Sequence, residues 1–151
     1  MIRRIEFEGH SVDVNTSAGW LFVYRANFGH DILPDIMPLI ESGLETIASI
    51  LKESGGEVNL DNITSAFGDG TFNDFFIRMA GMETVTIYQI FWAMAKKADK
   101  TIKPVDEYFD DFETFPLDIV IPEMFRCVIE SSISSKNAQS LLTMIQKKAS
   151  I

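Results

Sequence analysis

The stretch from Thr86 to Phe115, TIYQIFWAMAKKADKTIKPVDEYFDDFETF, constrains this chain more than any other. Ile87, Tyr88, Phe91, Trp92, Met94 and Ala95 recur at helical spacing, which predicts a helix from about Thr84 to Ala98. Thr86, Gln89, Ala93, Lys96 and Lys100 mark its expected polar stripe. An apolar face this wide calls for burial on more than one side. After Pro104, Val105, Tyr108, Phe109 and Phe112 line one face of a second predicted helix. Asp106, Glu107, Asp110, Asp111 and Glu113 cover the other, and the early acids suit a helix N-terminus. Nothing in the stretch pairs a nucleophile with a base. The combination favours a protein that holds another protein over one that performs chemistry.

The rest of the chain frames this centre. Arg3 to Asn15 reads as a β-hairpin: Ile5 and Phe7, then Val12 and Val14, alternate with polar residues, and Gly9-His10 is the expected turn. An isolated hairpin is marginal in water, so it must pack on helices or pair with another chain. Thr16 or Ser17 is the expected N-cap of a helix carrying Trp20, Leu21, Tyr24 and Phe28 on one face and ending at Gly29. Pro34 and Pro38 limit where the next helix starts, and its stripe is Ile40, Leu44, Ile47 and Leu51 up to the stop at Ser54-Gly55-Gly56.

Glu57 to Ala66 reads as one short helix, Gly68-Asp69-Gly70 as a turn, and Phe72, Phe75, Phe76 and Met79 as a further helical segment ending at Gly81. Leu117, Ile121, Met124, Phe125 and Val128 mark another stripe, with Pro122 either kinking that helix or standing in its first turn. Ser131 to Asn137 is a polar break. Ala138, Leu141, Leu142 and Ile145 form a last amphipathic stretch. The expected fold is mainly α: an N-terminal hairpin, residues 3–15, followed by a compact bundle of about five to seven helices. Residues 1–136 form one domain in this reading, with 137–151 a loosely docked amphipathic segment.

Composition narrows the function. Thirteen Lys and Arg stand against 22 Asp and Glu, a net charge of −9. That surface repels phosphate backbones and argues against nucleic-acid binding, while drawing basic partners. Cys127 is the single cysteine, so no internal disulfide forms, which suits a reducing cytosol. It lies in the apolar run Met124 to Ile129 and reads as a small core residue. His10 and His30 lack metal-ligand spacing and read as structural. The acids from Asp106 to Glu113 have no Gly-bearing loop to fold around a cation, and Asp69-Gly70-Thr71 lacks the remaining positions of a calcium loop. No phosphate-binding, dinucleotide or nucleophile-elbow motif occurs, so neither enzymatic activity nor a cofactor is expected. Trp20, Trp92 and the Phe stripes read as core. Arg3-Arg4 leads into charged alternation rather than an apolar signal-peptide region, and no apolar run is long enough to cross a membrane.

The order of segments carries a resemblance. The hairpin IEFEGHSVDV comes first, then SAGWLFVYRANFGHDIL with Phe28-Gly29 after its helix. IYQIFWAMAKKADKTIKPVDEYFDDF follows, with Trp92-Ala93-Met94-Ala95 leading to Asp99, and then PLDIVIPEMFRCVIESS. Together, from about Ile5 to Lys136, they resemble the tail assembly chaperones of long-tailed bacteriophages of Gram-positive hosts. The stretch Glu57 to Gly81 has no counterpart in that resemblance. The resemblance implies a non-enzymatic protein of the host bacterial cytoplasm, absent from the mature virion. Such a protein binds and solubilises the tape measure protein and helps recruit tail tube subunits. Under this reading the partner-binding surface is assigned to Tyr108 and Phe112 with Leu141, Leu142 and Ile145. The free hairpin edges make a homo-oligomer an expectation too. The alternatives are an acidic helical binding or regulatory module unrelated to tails, and a small enzyme or metal protein using the acids near Asp106.

Overall fold

A computed structural model describes residues 1–54 (47–54 as backbone), 83–132 and Thr143. Among them the fold is mainly α, with a two-stranded antiparallel hairpin ahead of five helices. The elements are β1 (Ile2–Phe7), β2 (His10–Asn15), α1 (Trp20–Phe28), α2 (Leu33–Ser54), α3 (Thr84–Ala98), α4 (Val105–Tyr108) and α5 (Leu117–Ser132), with a 3₁₀ turn at Phe109–Asp111. The chain divides into two compact units, Met1–Asp35 with Glu83–Met124, and Ile36–Met82 with Phe125–Ile151. The expectations for 55–82, and those for Leu141, Leu142 and Ile145, lie outside the described residues.

In the first unit the hairpin pairs Ile2 with Asn15 through to Phe7 with His10. That register leaves Glu8 and Gly9 as a two-residue turn, one position earlier than the Gly9-His10 turn expected from sequence. Both have positive φ, 47° and 78°, which is the geometry that matches strand twist in a tight hairpin. Glycine takes the second position freely, and Glu8 accepts a conformation that side chains disfavour. Ile5, Phe7 and Val14 are buried on the inner face, while Arg4, Glu6, Ser11 and Asp13 stand outside.

Helix α1 begins later than the sequence suggests. Thr16 does not cap it: its hydroxyl donates to the Met1 carbonyl at 3.2 Å, closing the open end of the hairpin. Ser17 is not the cap either. Its carbonyl accepts the Trp20 N–H, so the chain winds through a short turn before Gly19 takes the N-cap position. Gly29, at φ 78°, ends the helix as expected, its N–H bonding the Arg25 carbonyl.

Helix α3 matches its predicted limits, and of its expected polar stripe Gln89 and Lys96 stay half-exposed and Lys100 exposed. Thr86 and Ala93 are buried together with Ile87 and the whole run from Ile90 to Ala95. The hairpin reaches it through β2, and α1 packs beside it. Trp20, Tyr24, Trp92 and Phe91 are core, as expected. Burying each such side chain contributes roughly 1.5–3 kcal/mol.

The prolines of the longer helices prove more permissive than expected. Helix α2 starts at Leu33, whose N–H bonds the Asp31 carboxylate at 3.0 Å, so Pro34 falls in the first turn, where no N–H is needed. Pro38 lies inside the helix. The buried side is Ile36, Leu39, Gly43 and Thr46, while Ile40 and Leu44 are only half-buried. At Ile40 and Leu44 the stripe is therefore rotated from the one expected, because Gly43 and Thr46 are small enough to admit close neighbours; the side chains of Ile47 and Leu51 lie outside the described residues. The Thr46 hydroxyl is satisfied by the Ser42 carbonyl at 2.7 Å.

Pro122 likewise sits within α5, which begins at Leu117 rather than at the proline and runs through Ser131 to Ser132; the rest of the expected break, 133–137, lies outside the described residues. Phe125, Cys127 and Val128 are fully buried, so the thiol is the core residue expected of it. A Cβ on Gly43 would overlap the Phe125 ring.

Two stability outcomes follow from these backbones. Gly43→Ala should lower stability by about 1–3 kcal/mol through overpacking against an aromatic ring that has nowhere to move. Gly19→Ala should cost much less, because its nearest atom is the flexible end of Lys97 at 2.7 Å. Thermal melts of the two variants compare them directly. Glu8→Asn should raise stability by roughly 0.5–1 kcal/mol, since Asn tolerates positive φ and Asn-Gly suits this turn; denaturant midpoints check it.

Candidate partner-binding cleft

The acidic aromatic segment does not form the continuous helix that its spacing predicts. Helix α4 is a single turn, Val105–Tyr108, after which the chain tightens into the 3₁₀ turn and Phe112 becomes extended. Two forces shorten it. Four residues are too few to propagate a helix alone, and the aromatic rings gain more by turning inward. Phe109 stacks near Tyr88 at 4.9 Å and Phe115 at 5.1 Å, and Phe115 reaches Phe91 at 5.0 Å. Phe7 of the hairpin meets Phe112 at 5.5 Å and Phe115 at 5.6 Å. Each contact of this kind adds about 0.5–1.5 kcal/mol beyond area burial. Phe115, which no stripe in the sequence singled out, is thus central to the segment.

The loop from Asp99 to Lys103 is locked onto α3. The Trp92 indole N–H donates to the Lys103 carbonyl at 2.8 Å. The Lys96 ammonium donates to the carbonyls of Lys100 and Ile102, at 2.6 and 3.4 Å, and lies 5.9 Å from the Trp92 ring centre. Asp99 accepts from both the hydroxyl and the N–H of Thr101. These two bonds, with help from the charge on Lys96, hold the Asp99 carboxyl below the usual carboxylate range.

Loop, β2, the end of α3 and the acidic segment enclose a cleft of about 450 Å³. Its apolar lining is Val12, Ala95, Ala98, Ile102, Tyr108 and Phe112, and its polar rim is His10, Ser11, Asp13, Asp99 and Asp111. A neighbouring recess of about 330 Å³ shares His10 and Asp111 and adds Glu8, Glu113 and Thr114. Asp13 is paired with Arg4 at 3.0 Å and Asp111 with Lys103 at 3.1 Å, both on the exposed surface. Asp99 on the same rim, with Glu8 and Glu113 lining the recess beside it, leaves the opening net negative.

Tyr108 and Phe112, two of the five residues that the sequence assigned to partner binding, stand together here with ring centres 5.3 Å apart. His10 is in the cleft wall rather than in the hairpin turn, its ring edge-on to Phe112 at 4.7 Å. Val12, Ile102 and Asp99 were not marked by sequence spacing. Val12 was visible only as the inner-face alternation of β2, and Ile102 carried no signal, because a loop has no period. His30 has the structural place expected of it, facing the Phe28 carbonyl through Nδ1 at 3.0 Å and Asp35 through Nε2 at 2.8 Å.

The acids Asp106, Glu107, Asp110 and Glu113 are exposed. Among the described residues no three His, Cys, Asp or Glu side chains are grouped to hold a metal ion, and no helix is long and apolar enough to cross a membrane. No family model, no curated protein and no solved structure matches the chain.

Burial, then the nearby charges of Asp111 and Asp99, pushes the Tyr108 phenol up to about 12. Burial and the charge of Asp35 do the same to Tyr24, whose hydroxyl donates to Gln89 at 3.1 Å. In an unfolded chain the phenol ionises near pH 10. The unfolded state therefore releases its proton first as pH rises. The stability these phenols contribute is complete below about pH 10 and is lost toward pH 12. Tyr108→Phe should flatten part of that alkaline loss, read from denaturation midpoints between pH 9 and about pH 12, and should remove one phenolate step from the ultraviolet titration.

Proposed function

We propose that this chain is a non-enzymatic tail assembly chaperone of a long-tailed bacteriophage, acting in the host cytoplasm and left out of the mature virion. In this reading it binds the tape measure protein, keeps it soluble and helps to bring tail tube subunits to it. The observation that carries the reading is the acid-rimmed cleft with Tyr108 and Phe112 in its apolar wall. A volume of this size takes one or two anchoring side chains of a partner helix rather than a whole helix. A negative opening over an apolar floor selects segments in which an apolar anchor is flanked by Lys or Arg. Long helical tape measure proteins offer such anchors repeatedly, and a net charge of −9 helps keep the complex dissolved. The order of hairpin, Phe28-Gly29 helix, Trp92 helix and acidic aromatic segment supports the same reading.

The test is co-expression with the long helical protein encoded beside this gene. The expected result is soluble recovery of that neighbour only when this chain is present. A neighbour that stays insoluble, or is soluble regardless, overturns the reading and leaves an acidic binding module unrelated to tails. With capture established, Val12→Thr combined with Ile102→Asn should reduce recovery about tenfold by making the cleft floor polar, with the circular dichroism spectrum unchanged. Replacing Leu141, Leu142 and Ile145 with polar residues tests the C-terminal share of the surface separately.

A further inference from the structure

We infer that β1 is the interface of a two-fold dimer, in which the hairpins of two copies join edge to edge into a four-stranded antiparallel sheet. The two-residue turn fixes which backbone groups are free. Phe7–His10, Ile5–Val12 and Arg3–Val14 are the pairs whose N–H and C=O groups bond across the hairpin. The N–H and C=O groups of Arg4 and Glu6 therefore point away from β2. Among the described residues the sheet has two strands, and no backbone bond reaches those outward groups. Both residues are exposed.

The register of a second copy follows from chemistry. Only residues of the outward set, which are Ile2, Arg4 and Glu6, can bond to one another across a new pair of strands, and a register that sets Ile2 against Arg4 makes no ion pair. Setting Arg4 against its own copy, or Glu6 against its own copy, opposes like charges directly, which destabilises a strand pair. Centring the pair on Ile5 instead places Arg4 opposite Glu6 and Glu6 opposite Arg4. That register makes four backbone hydrogen bonds and two ion pairs and apposes the two Ile5 side chains on the inner face. On the outer face the existing Arg4–Asp13 pair, 3.0 Å, extends into a row running Asp13, Arg4, Glu6, Ser11 across both copies, with Ser11 already donating to Glu6 at 3.2 Å.

Charges on an edge strand usually serve to prevent pairing. An edge of one sign would repel every register, whereas this edge, with one charge of each sign two residues apart, disfavours the two neighbouring self-pairings and favours one. The arrangement is isologous and closes at two copies, leaving the outer edges of the four-stranded sheet to β2.

Sedimentation equilibrium of the full chain, over a wide concentration range, tests this with charge reversals on the exposed face. The unmodified chain should show a monomer–dimer equilibrium. Arg4→Glu alone and Glu6→Arg alone should each weaken dimerisation by about tenfold or more, because all four charges at the seam then share a sign. Mixing the two variants should restore a dimer, now only between unlike chains, since each Glu then meets an Arg. A chain monomeric at every concentration overturns the inference. So does a dimer indifferent to both reversals, or one that the mixture fails to restore. Circular dichroism of each variant confirms that the hairpin stays folded, and none of these readouts depends on a tape measure partner.

Discussion

Everything in the first unit depends on a helix buried over most of its surface. In α3, Thr86, Ile87 and every residue from Ile90 to Ala95 are buried, and Tyr88 and Gln89 between them are half-buried. A helix buried on one face can rest on a single neighbour, but one buried this widely needs cover from several directions. The hairpin, α1 and the acidic aromatic segment supply that cover, and each is too small to be stable alone. A two-stranded hairpin is marginal in water, and a single helical turn does not propagate. Their order is borrowed from the apolar surface of α3 that they remove from water.

The same requirement produces the cleft. Tyr108, Phe109, Phe112 and Phe115 must reach inward to Tyr88, Phe91 and Phe7, and the acids between them must stay outside. These rings meet α3 and the hairpin at once, and the segment changes from α to 3₁₀ to extended within a few residues. The change in winding leaves an unfilled space bounded by β2 and the locked loop. Its floor is apolar because it is the margin of the core, and its rim takes one acid each from β2, the locked loop and the acidic segment: Asp13, Asp99 and Asp111. Core formation and the lining of the cleft thus draw on one set of rings.

How far this was legible can be followed residue by residue. The limits of α3, the stop at Gly29 and the core places of Trp20, Trp92 and Cys127 could all be read from period and composition. Tyr108 and Phe112 could be picked out as a pair, though not as neighbours of His10. The errors have one physical origin. The turn at Glu8-Gly9, the diversion of Thr16 to the Met1 carbonyl, and the rotation of the α2 stripe toward Gly43 all arise where a partner distant in sequence outweighs a local preference. Pro38 and Pro122 show the same thing from the other side, since helices tolerate the loss of one backbone bond when packing holds the turns on either side.

By itself the sequence determined a mainly helical, acidic chain with an N-terminal hairpin, a broad apolar central helix and a concentration of rings and acids after Pro104. Those properties follow from spacing and charge, which are local and do not depend on what the chain touches. Only the tertiary structure decided that Thr86 and Ala93 on the polar stripe of α3 would be covered, that the acidic segment would abandon its helix, and that Val12, Ile102 and Asp99 would meet Tyr108 across a cleft. Those outcomes turn on which surfaces compete for the same apolar helix, and that competition is settled by packing between residues far apart in the chain.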